Sequence, residues 1–456
     1  MLYERSISLE TYAVIRYGMG FPVRGAPVDA AGLLDRVNGP DRILETAPYL
    51  PFSDGLQLGR ALRFAQRAKN KGGDKVKLKD ARKAMNAALG QALLNDLTRA
   101  VETDDPFRER LHSFWTNHFT ARAKTRYLRA AHAGYAGEAI RPHLTGYFGD
   151  MLKATVTHPF MMFYLDQQES VGPNSPFGTF KKRGLNENLA REALELHSVG
   201  PGGGYSQTDV REFAELLTGL SASLKKGFAF LPDRAEPGAE VILGKSYGGG
   251  DATLADIHTA LDDLAVHPST AAHISRKLAM HFTADTPDED LVAHMTAAYA
   301  KSQGHLGTVY AAMLEHPAAW RDFGAKVKQP FELVKTSLRA IGVRASDLEA
   351  IGVAQVRKLI DRPLKRMGQP YLQPPGPDGW PDRVEDWVHA HGMAARIGWA
   401  LALTSKRPNL VTNPRHFARA ALGDAVNDRL IWAAGVAQTR SEGMALVLAS
   451  AEFNRR

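Results

Sequence analysis

The stretch DPFRERLHSFWTNHF (residues 105–119) carries the pattern that decides the fold. Its initial Asp-Pro pair is a typical helix start, because proline suits the first helical position, where an N–H would have no partner. At about 100° per residue, Leu111, Trp115, His118 and Phe119 then share one face. The stretch therefore predicts an amphipathic helix with an aromatic face turned toward the core.

The same helical period recurs along most of the chain. Apolar residues at i, i+3 and i+4 predict helices over 54–70, 79–102, 105–119, 143–165, 187–198, 208–219, 254–266, 269–282, 289–302, 306–314, 331–341, 345–360, 387–403, 414–421, 428–434 and 441–450. Strand signals are sparse, and the segments 228–231 and 241–243, which flank a turn-rich stretch, predict one small β-hairpin. Five prolines within 368–383 predict an extended loop. The predicted fold class is all-α: a large multi-helix body with one small β-hairpin insertion.

Length and composition describe a globular protein with room for several domains. The chain has 456 residues, of which 44% are hydrophobic and 23% charged, values that are ordinary for a folded protein. We divide it into an N-terminal arm with basic helices (1–104), a central helical body with the candidate site (105–324) and a C-terminal helical part packed on that body (325–456). Since the chain has no cysteine, disulfides, thiolate metal sites, iron–sulfur clusters and cysteine nucleophiles are excluded.

The net charge is +8, and much of the basic excess lies in the segment 60–83. We interpret this segment as a solvated pair of helices, with Phe64 packed inward. Nucleic-acid binding is the less favoured alternative, because no further aromatic side chains interleave the basic ones to stack on bases.

No targeting or membrane segment is recognised in the sequence. Residues 1–20 lack an uninterrupted apolar stretch, so we predict no signal peptide. Nowhere do about 18 apolar residues follow one another, as a membrane span requires. The compartment stays unknown: the cytoplasm is the default expectation, and a periplasmic location by co-export is the alternative.

His118 is the first candidate for chemistry. Histidine is the commonest metal ligand and a natural base near neutral pH, and Trp115 precedes it by about one helical turn. The hypothesis is a metal ligand or general base at His118. If the metal is redox-active, Trp115 is a target for self-oxidation and belongs to the candidate catalytic residues. The alternative is an aromatic core stripe that contains one hydrogen-bonded histidine.

The stretch GLNENLAREALELHSVG (184–200) gathers carboxylates, amides and a histidine on one helix. On a regular helix Glu192 and Glu195 belong to one polar stripe, whereas His197 lies about 140° away from Glu192. Therefore either the glutamates act with groups from another helix, or His197 acts separately. If buried, the two glutamates need a cation or must share a proton. The alternative is an exposed polar face on which Arg191 is paired with a glutamate one turn away.

Asp209 is both a helix cap and a candidate metal ligand. It lies three residues after Ser206, which matches the spacing of a capping box. Basic residues between the two candidate helices form either an exposed loop or a group that positions an anion above the site, namely Arg122, Lys124, Arg126, Arg129 and Arg141.

Three His-Pro pairs occur where helices are predicted to begin, at His158, His267 and His316. Proline favours the first helical position, and the preceding residue is free to cap the helix. We therefore interpret these histidines as helix caps rather than as ligands.

Several segments, in chain order, resemble the bacterial family called domain of unknown function 1800. They are IRYGMG (15–20), FWTNHF (114–119), AIR (139–141), HPFMMFYLD (158–166), NENLAREALELH (186–197), GYSQTDV (204–210), HPSTA (267–271) and GWP (379–381). The resemblance covers nearly the whole chain and implies a predominantly helical bacterial protein. It also implies a partner from a neighbouring gene, of the family called domain of unknown function 1501. Many members carry a histidine where this chain has Ala235.

Two functions follow as hypotheses. The first is an enzyme with a site built from His118, Glu192 and Glu195, with His197 or Asp209. Such ligands suit Zn, Mn or Fe, and would activate water in a hydrolase or handle oxygen in an oxidoreductase. The second is a non-catalytic helical protein that binds or exports the neighbouring-gene protein. The sequence contains no nucleotide-binding motif of the P-loop type.

Overall fold

The computed structural model describes residues 7–22, 29–406 and 410–456. The predicted absence of a signal peptide rests partly on residues 1–6, which lie outside the described residues. Helices dominate the described chain, and the predicted all-α fold class is confirmed.

The α-helices follow one another from α1 to α25. The first twelve are α1 (Leu9–Tyr12), α2 (Ala30–Asn38), α3 (Ile43–Thr46), α4 (Phe52–Asn70), α5 (Lys75–Glu102), α6 (Pro106–His118), α7 (Arg129–Ala139), α8 (Phe148–Val156), α9 (Pro159–Tyr164), α10 (Pro176–Lys181), α11 (Asn188–Glu192) and α12 (Gln207–Leu216). The others are α13 (Leu254–Val266), α14 (Pro268–Phe282), α15 (Glu289–Lys301), α16 (Leu306–Glu315), α17 (Pro330–Ala340), α18 (Ala345–Val356), α19 (Arg362–Arg366), α20 (Val384–Trp387), α21 (Ala390–Ser405), α22 (Pro414–Leu422), α23 (Asp428–Gly435), α24 (Arg440–Ala449) and α25 (Ala451–Asn454).

The β insertion contains two hairpins, so the prediction of one hairpin is wrong. Strand β1 (Leu220–Ser223) pairs with β2 (Gly227–Phe230), and β3 (Ala239–Ile242) pairs with β4 (Lys245–Gly248), both antiparallel. The predicted pairing of 228–231 with 241–243 is absent from these two sheets. Leu243 and Gly244 join β3 to β4 with φ angles of 49° and 78°, as a tight two-residue hairpin turn requires. Each strand therefore pairs across its nearest turn.

The predicted helices 143–165, 187–198 and 345–360 are interrupted in the structure, the last of them at Gly352, whose φ of 70° is not helical, and at the π-helical turn that begins at Arg357. The predicted helix 143–165 is wrong as a single element, because Pro159 starts a new helix after α8 has ended. His158 caps that start, since its Nδ1 accepts the N–H of Phe160 at 3.1 Å. His267 and His316 accept the N–H two residues later in the same way, which confirms their interpretation as caps. In the second interrupted helix, α11 continues as the π-helical turn Ala193–His197.

The buried apolar residues form two large cores and one small cluster. The first core joins α6 to α9 and α11 to α16, together with the N-terminal residues around Tyr17. The second core joins the end of α5 to the C-terminal helices from α17 onward. The small cluster lies between α4 and α5. The described residues before 105 are thus divided among three clusters, and the predicted domain boundaries stay a prediction.

The basic segment 60–83 forms the exposed parts of α4 and α5, and its lysines and arginines are exposed. Phe64 is 74% exposed, so the prediction that it packs inward is wrong. It follows Arg63 on the solvent side of α4, whereas Leu62 and Ala65 face the small cluster. Among the described residues, no helix is both long enough and apolar enough to cross a membrane.

Candidate functional site

Four segments that are distant in sequence converge at one place. They are the C-terminal end of α6, the turn Ala193–His197, α14 and the proline-rich loop 368–383. The Asn117 side chain, near the end of α6, holds the loop: Nδ2 donates to the carbonyl of Trp380 at 2.9 Å, and Oδ1 accepts the Trp380 N–H at 2.7 Å. This pair of hydrogen bonds fixes the Gly-Trp-Pro segment against α6.

Gly379 permits this close contact. Its φ of +82° lies in the left-handed region, and a Cβ at this position would lie 2.6 Å from both Asn117 O and Asn117 Oδ1. A side chain larger than hydrogen does not fit there without moving the backbone. Gly379 also forms an isolated antiparallel bridge with Gly376, so the loop makes a tight turn that contains Asp378.

Three neutral histidines form the floor of the site. The ring centroid of His118 lies 6.1 Å from that of His197 and 6.4 Å from that of His273. Burial, together with the nearby Lys277 amine, holds the pKa of His118 well below its usual range. The same two causes lower the pKa of His197 to about 3 and that of His273 to about 4. All three rings are therefore uncharged near neutral pH.

The tautomer of His118 follows from its hydrogen bond. Nε2 lies 3.1 Å from the carbonyl oxygen of His197, and a carbonyl only accepts, so Nε2 carries the proton. Nδ1 then keeps a lone pair that is buried and finds no hydrogen-bond partner among the described residues. Both ring nitrogens of His197 are likewise buried and unpartnered within that part of the chain.

Lys277 is the cation of the site. Its amine has no carboxylate oxygen within 4 Å in the described part of the chain, although Asp382 and Asp378 act on it from further away. Burial lowers the pKa of Lys277 to about 8, while these two aspartates oppose the shift. Lys277 therefore loses its proton much closer to neutral pH than an exposed lysine does.

Glu192, Glu195 and Asp378 form the carboxylate side of the site. Glu192 is half-buried, and its pKa is raised by burial and by the negative charges of Glu195 and Asp378. The hydroxyl of Tyr205 is hydrogen-bonded to Glu195. Asp378 acts electrostatically on both Glu192 and Lys277.

The arginine next to these glutamates is paired elsewhere. Arg191 Nη2 lies 2.9 Å from Glu187 Oε2, which is one of the pairings expected for an exposed polar face. Glu192 and Glu195 have no cation within 4 Å among the residues that the structure describes. The two glutamates and His197 face different surroundings, as the helical geometry predicts: the glutamates are half-buried, and His197 is fully enclosed.

Trp115 lies beside His118 but away from solvent. Its indole ring is fully buried and lies edge-on to His118, with the centroids 5.3 Å apart. Its Nε1–H donates to the hydroxyl of Tyr310 at 2.7 Å. Trp115 thus packs against the histidine floor, as expected from the spacing.

Asp209 lies outside this group. It completes a capping box with Ser206 at the start of α12, which confirms the cap. Its Oδ1 also accepts the N–H of Leu243 at 2.7 Å and so anchors the turn between β3 and β4. Within the described ranges, no three His, Asp or Glu side chains are arranged to hold a metal ion. Metal binding by His118, Glu192, Glu195 or Asp209 stays a prediction.

A cavity of about 180 Å³ lies beside the loop, between the two large cores. Aromatic, amide and charged side chains of α6, α17 and the loop line it. They include His112, Asn117, Glu332, Lys335, Gln369, Tyr371 and Trp380. The loop 368–383 therefore borders both the cavity and the carboxylate–lysine group.

A family profile described as "Protein of unknown function (DUF1800)" matches residues 24–455. This chain belongs to the DUF1800 family. The resemblance inferred from the sequence is thereby confirmed over nearly the whole chain. No curated protein and no solved structure matches the chain. Membership of the DUF1800 family assigns no reaction, so the chemistry has to be derived from the site itself.

Sequence reasoning found the glutamates of this DUF1800 site but missed Lys277 and Asp378. One signal for Lys277 was present: it follows His273 by four residues, and that spacing places both side chains on one face of a helix. Asp378 directly precedes the Gly-Trp-Pro segment. Its proximity to Lys277 depends on the Asn117 contact, which no local pattern reveals.

Proposed function

We propose that this protein is an enzyme that moves protons on a small-molecule substrate by general acid–base catalysis. Lys277 is the base, Glu192 is the acid, and the charge of Asp378 acts on both. The observation that carries the proposal is the Lys277 amine, which has no carboxylate within 4 Å in the described residues, although the charges of Asp378 and Asp382 act on it. A structural lysine in such surroundings would normally form an ion pair.

The electrostatics of the two groups support these roles. The pKa of Lys277 is about 8. At pH 7.5 the Lys277 amine is therefore neutral, and able to accept a proton, in about a quarter of the protein molecules. Glu192, with its raised pKa, keeps its proton to a higher pH than an exposed glutamate. Oppositely shifted groups in one site are typical of an acid and a base that work together.

The histidine floor supports the base by staying neutral. His118, His197 and His273 are uncharged and surrounded by aromatic rings such as Phe119, so they supply a low-dielectric surface beneath Lys277. That surface disfavours the ammonium form more than water does. In this proposal the histidines are positioning residues, and they do not touch the substrate.

Binding of Zn, Mn or Fe is a separate hypothesis for the same site. Glu192, Glu195 and Asp378 supply the hard oxygen donors that Mn and Fe accept, and His118 supplies an imidazole with a free Nδ1 lone pair. Elemental analysis of untagged protein, with Glu192→Ala and His118→Ala as comparisons, tests it. A stoichiometric metal lost in both variants would support the metal site and, with it, hydrolase or oxidoreductase chemistry.

The acid–base proposal is tested by the reactivity of Lys277 itself. Acetic anhydride acetylates free amines, and peptide mass spectrometry reports each lysine separately. We expect Lys277 to be acetylated with a pH midpoint near 8, and the exposed Lys301 serves as the internal reference. A midpoint equal to that of Lys301 would refute the proposed base.

The role in catalysis is tested with two conservative variants. Lys277→Arg keeps the positive charge but removes the titration near neutral pH, and Glu192→Gln keeps the shape but removes the transferable proton. In a screen of small-molecule substrates, we expect any activity of the wild-type protein to be lost in both variants. An activity that survives both substitutions would contradict the assignment.

A further inference from the structure

A basic pocket of about 530 Å³ opens next to the candidate site. It lies between α5, the segment that leads into α7, the π-helical turn Arg357–Asp361 and the loop 368–383. Its charged lining residues are Arg122, Lys124, Arg126, Arg129, Arg357 and Asp361. Five cations thus face one carboxylate, which leaves a strong positive excess inside a concave surface.

Most of these cations are not neutralised by carboxylates. Arg122 donates to the backbone carbonyls of Pro374 and Pro375, and Arg126 donates to the hydroxyl of Tyr127. Arg129 has no carboxylate within 4 Å among the described residues. Its guanidinium and that of Arg126 are exposed, so both are available to a ligand.

Two ion pairs account for the remaining cations. Lys124 Nζ lies 2.5 Å from Asp166 Oδ2, in a pair that is about 40% exposed on each side. Arg357 Nε lies 3.7 Å from Asp361 Oδ2. Pairs with this exposure and separation contribute little, because water screens them, so an incoming anion competes with them easily.

The basic pocket borders the proposed acid–base site. Arg122 donates to the carbonyl of Pro374, and Asp378 follows Pro374 by four residues, so the Cα atoms of Pro374 and Asp378 are at most about 14 Å apart. Tyr164 connects the two regions, because charges from both act on its hydroxyl. Burial raises the pKa of Tyr164, the Arg122 guanidinium opposes that shift, and the carboxylates of Glu192 and Asp378 add to it. A molecule of modest size therefore reaches from the pocket to the site.

We propose that this pocket binds the phosphate group of a phosphorylated small-molecule substrate, while the rest of that molecule extends toward Asp378 and Lys277. Arginine predominates among the cations, and its planar fork matches two phosphate oxygens at once. Because loop 368–383 both lines the pocket and contains Asp378, the proposed substrate is a small phosphorylated molecule such as a sugar phosphate or a mononucleotide. The proposed phosphate binding is supported by the pocket alone, whereas the orientation of the bound substrate toward Lys277 rests on the proposed acid–base function.

The test uses inorganic pyrophosphate as the probe and isothermal titration calorimetry as the readout, at constant ionic strength. The double variant Arg126→Ala/Arg129→Ala removes two exposed pocket charges without opening a core. The double variant Arg63→Ala/Arg67→Ala removes two exposed charges from α4 and is the matched control. We expect saturable binding that weakens at least tenfold in the pocket variant and stays unchanged in the control.

Other outcomes overturn the proposal. Equal weakening in both double variants would show that pyrophosphate responds to net charge only. Binding to phosphatidic acid vesicles without binding to pyrophosphate would assign the phosphate to a lipid surface. Acetylation of the wild-type protein separates the two proposals: pyrophosphate binding together with a Lys277 midpoint equal to that of Lys301 would retain the pocket and refute only the acid–base function.

Discussion

Replacing Gly379 with alanine tests whether the Asn117 contact holds the loop in place. The added Cβ would lie 2.6 Å from Asn117 O and Oδ1 and 2.8 Å from Thr120 Oγ1, all closer than a carbon–oxygen contact allows. Either the loop moves away from α6 or Asn117 turns aside. In both cases the two hydrogen bonds between Asn117 and Trp380 are weakened or lost.

The expected loss of stability follows from two contributions. A non-glycine residue at a φ of +82° costs about 1–2 kcal/mol. Two hydrogen bonds at a net 0.5–1.5 kcal/mol each add about 1–3 kcal/mol. Together, Gly379→Ala destabilises the protein by about 2–5 kcal/mol. The same substitution at Gly398 is the control, because nothing lies within 4 Å of a Cβ there and alanine in an exposed helix stabilises by about 0.5–1 kcal/mol.

Urea denaturation followed by tryptophan fluorescence measures both changes. We expect opposite signs: a lower midpoint for Gly379→Ala and a higher one for Gly398→Ala. The acetylation midpoint of Lys277 should also fall in Gly379→Ala, because the displaced Asp378 no longer raises the pKa of the amine as much. A Gly379→Ala protein within about 0.5 kcal/mol of wild type, with an unchanged Lys277 midpoint, would refute the role given to this contact.

Three further substitutions probe buried polar groups. Glu332 is buried, and its Oε1 lies 2.6 Å from Arg110 Nη2. Glu332→Gln should therefore destabilise the protein by about 3–5 kcal/mol, as measured by urea denaturation. A loss below about 1 kcal/mol would contradict this expectation. Although burial alone would raise it, neighbouring cations hold the pKa of Glu332 at about 2, so its contribution is present above about pH 4.5 and is lost as pH falls toward 2. The pKa of His273 is about 4 in the folded protein, against an ordinary value of 6.5. Between these two pH values the unfolded chain binds more protons, so the stability of the folded protein rises with pH. His273→Gln should flatten that rise in melting curves recorded at several pH values, and an unchanged slope would contradict this expectation. Tyr310→Phe leaves the buried Nε1–H of Trp115 without its acceptor and should cost about 1–3 kcal/mol, whereas equal stability would show that water replaces the hydroxyl.

Helical periodicity and capping chemistry were sufficient to predict most of the fold. Both act within a few residues, so the sequence displays them directly, as at the His-Pro pairs. The wrong predictions arose where a local pattern is compatible with more than one tertiary arrangement. Segment 228–231 has the composition of a strand, but the composition does not reveal which strand is its partner, and the nearest turn decides. Phe64 is apolar, yet it lies on the solvent side of α4 because Leu62 and Ala65 already face the small cluster.

The candidate site was only partly predictable for the same reason. Glu192 and Glu195 stand out because polar side chains cluster within one helix. The π-helical turn that follows them and the approach of Asp378 arise from tertiary packing. The contact between Asn117 and Trp380 joins residues separated by 263 positions. Helical periodicity reports only on residues a few positions apart, so it does not predict such a pair. Lys277 becomes a candidate only when the structure shows that no carboxylate of the described ranges lies within 4 Å of its amine.

The dependence of the site on loop 368–383 has a consequence for the order of synthesis. A ribosome completes Glu192 about 190 residues and Lys277 about 100 residues before it reaches Asp378. At about 5–20 residues per second, the proposed base then waits roughly 5–20 seconds, and the proposed acid roughly 10–40 seconds, for the segment that contains Asp378. Under the acid–base proposal, a nascent chain is therefore expected to remain inert until residues 368–383 have been synthesised and have folded against α6.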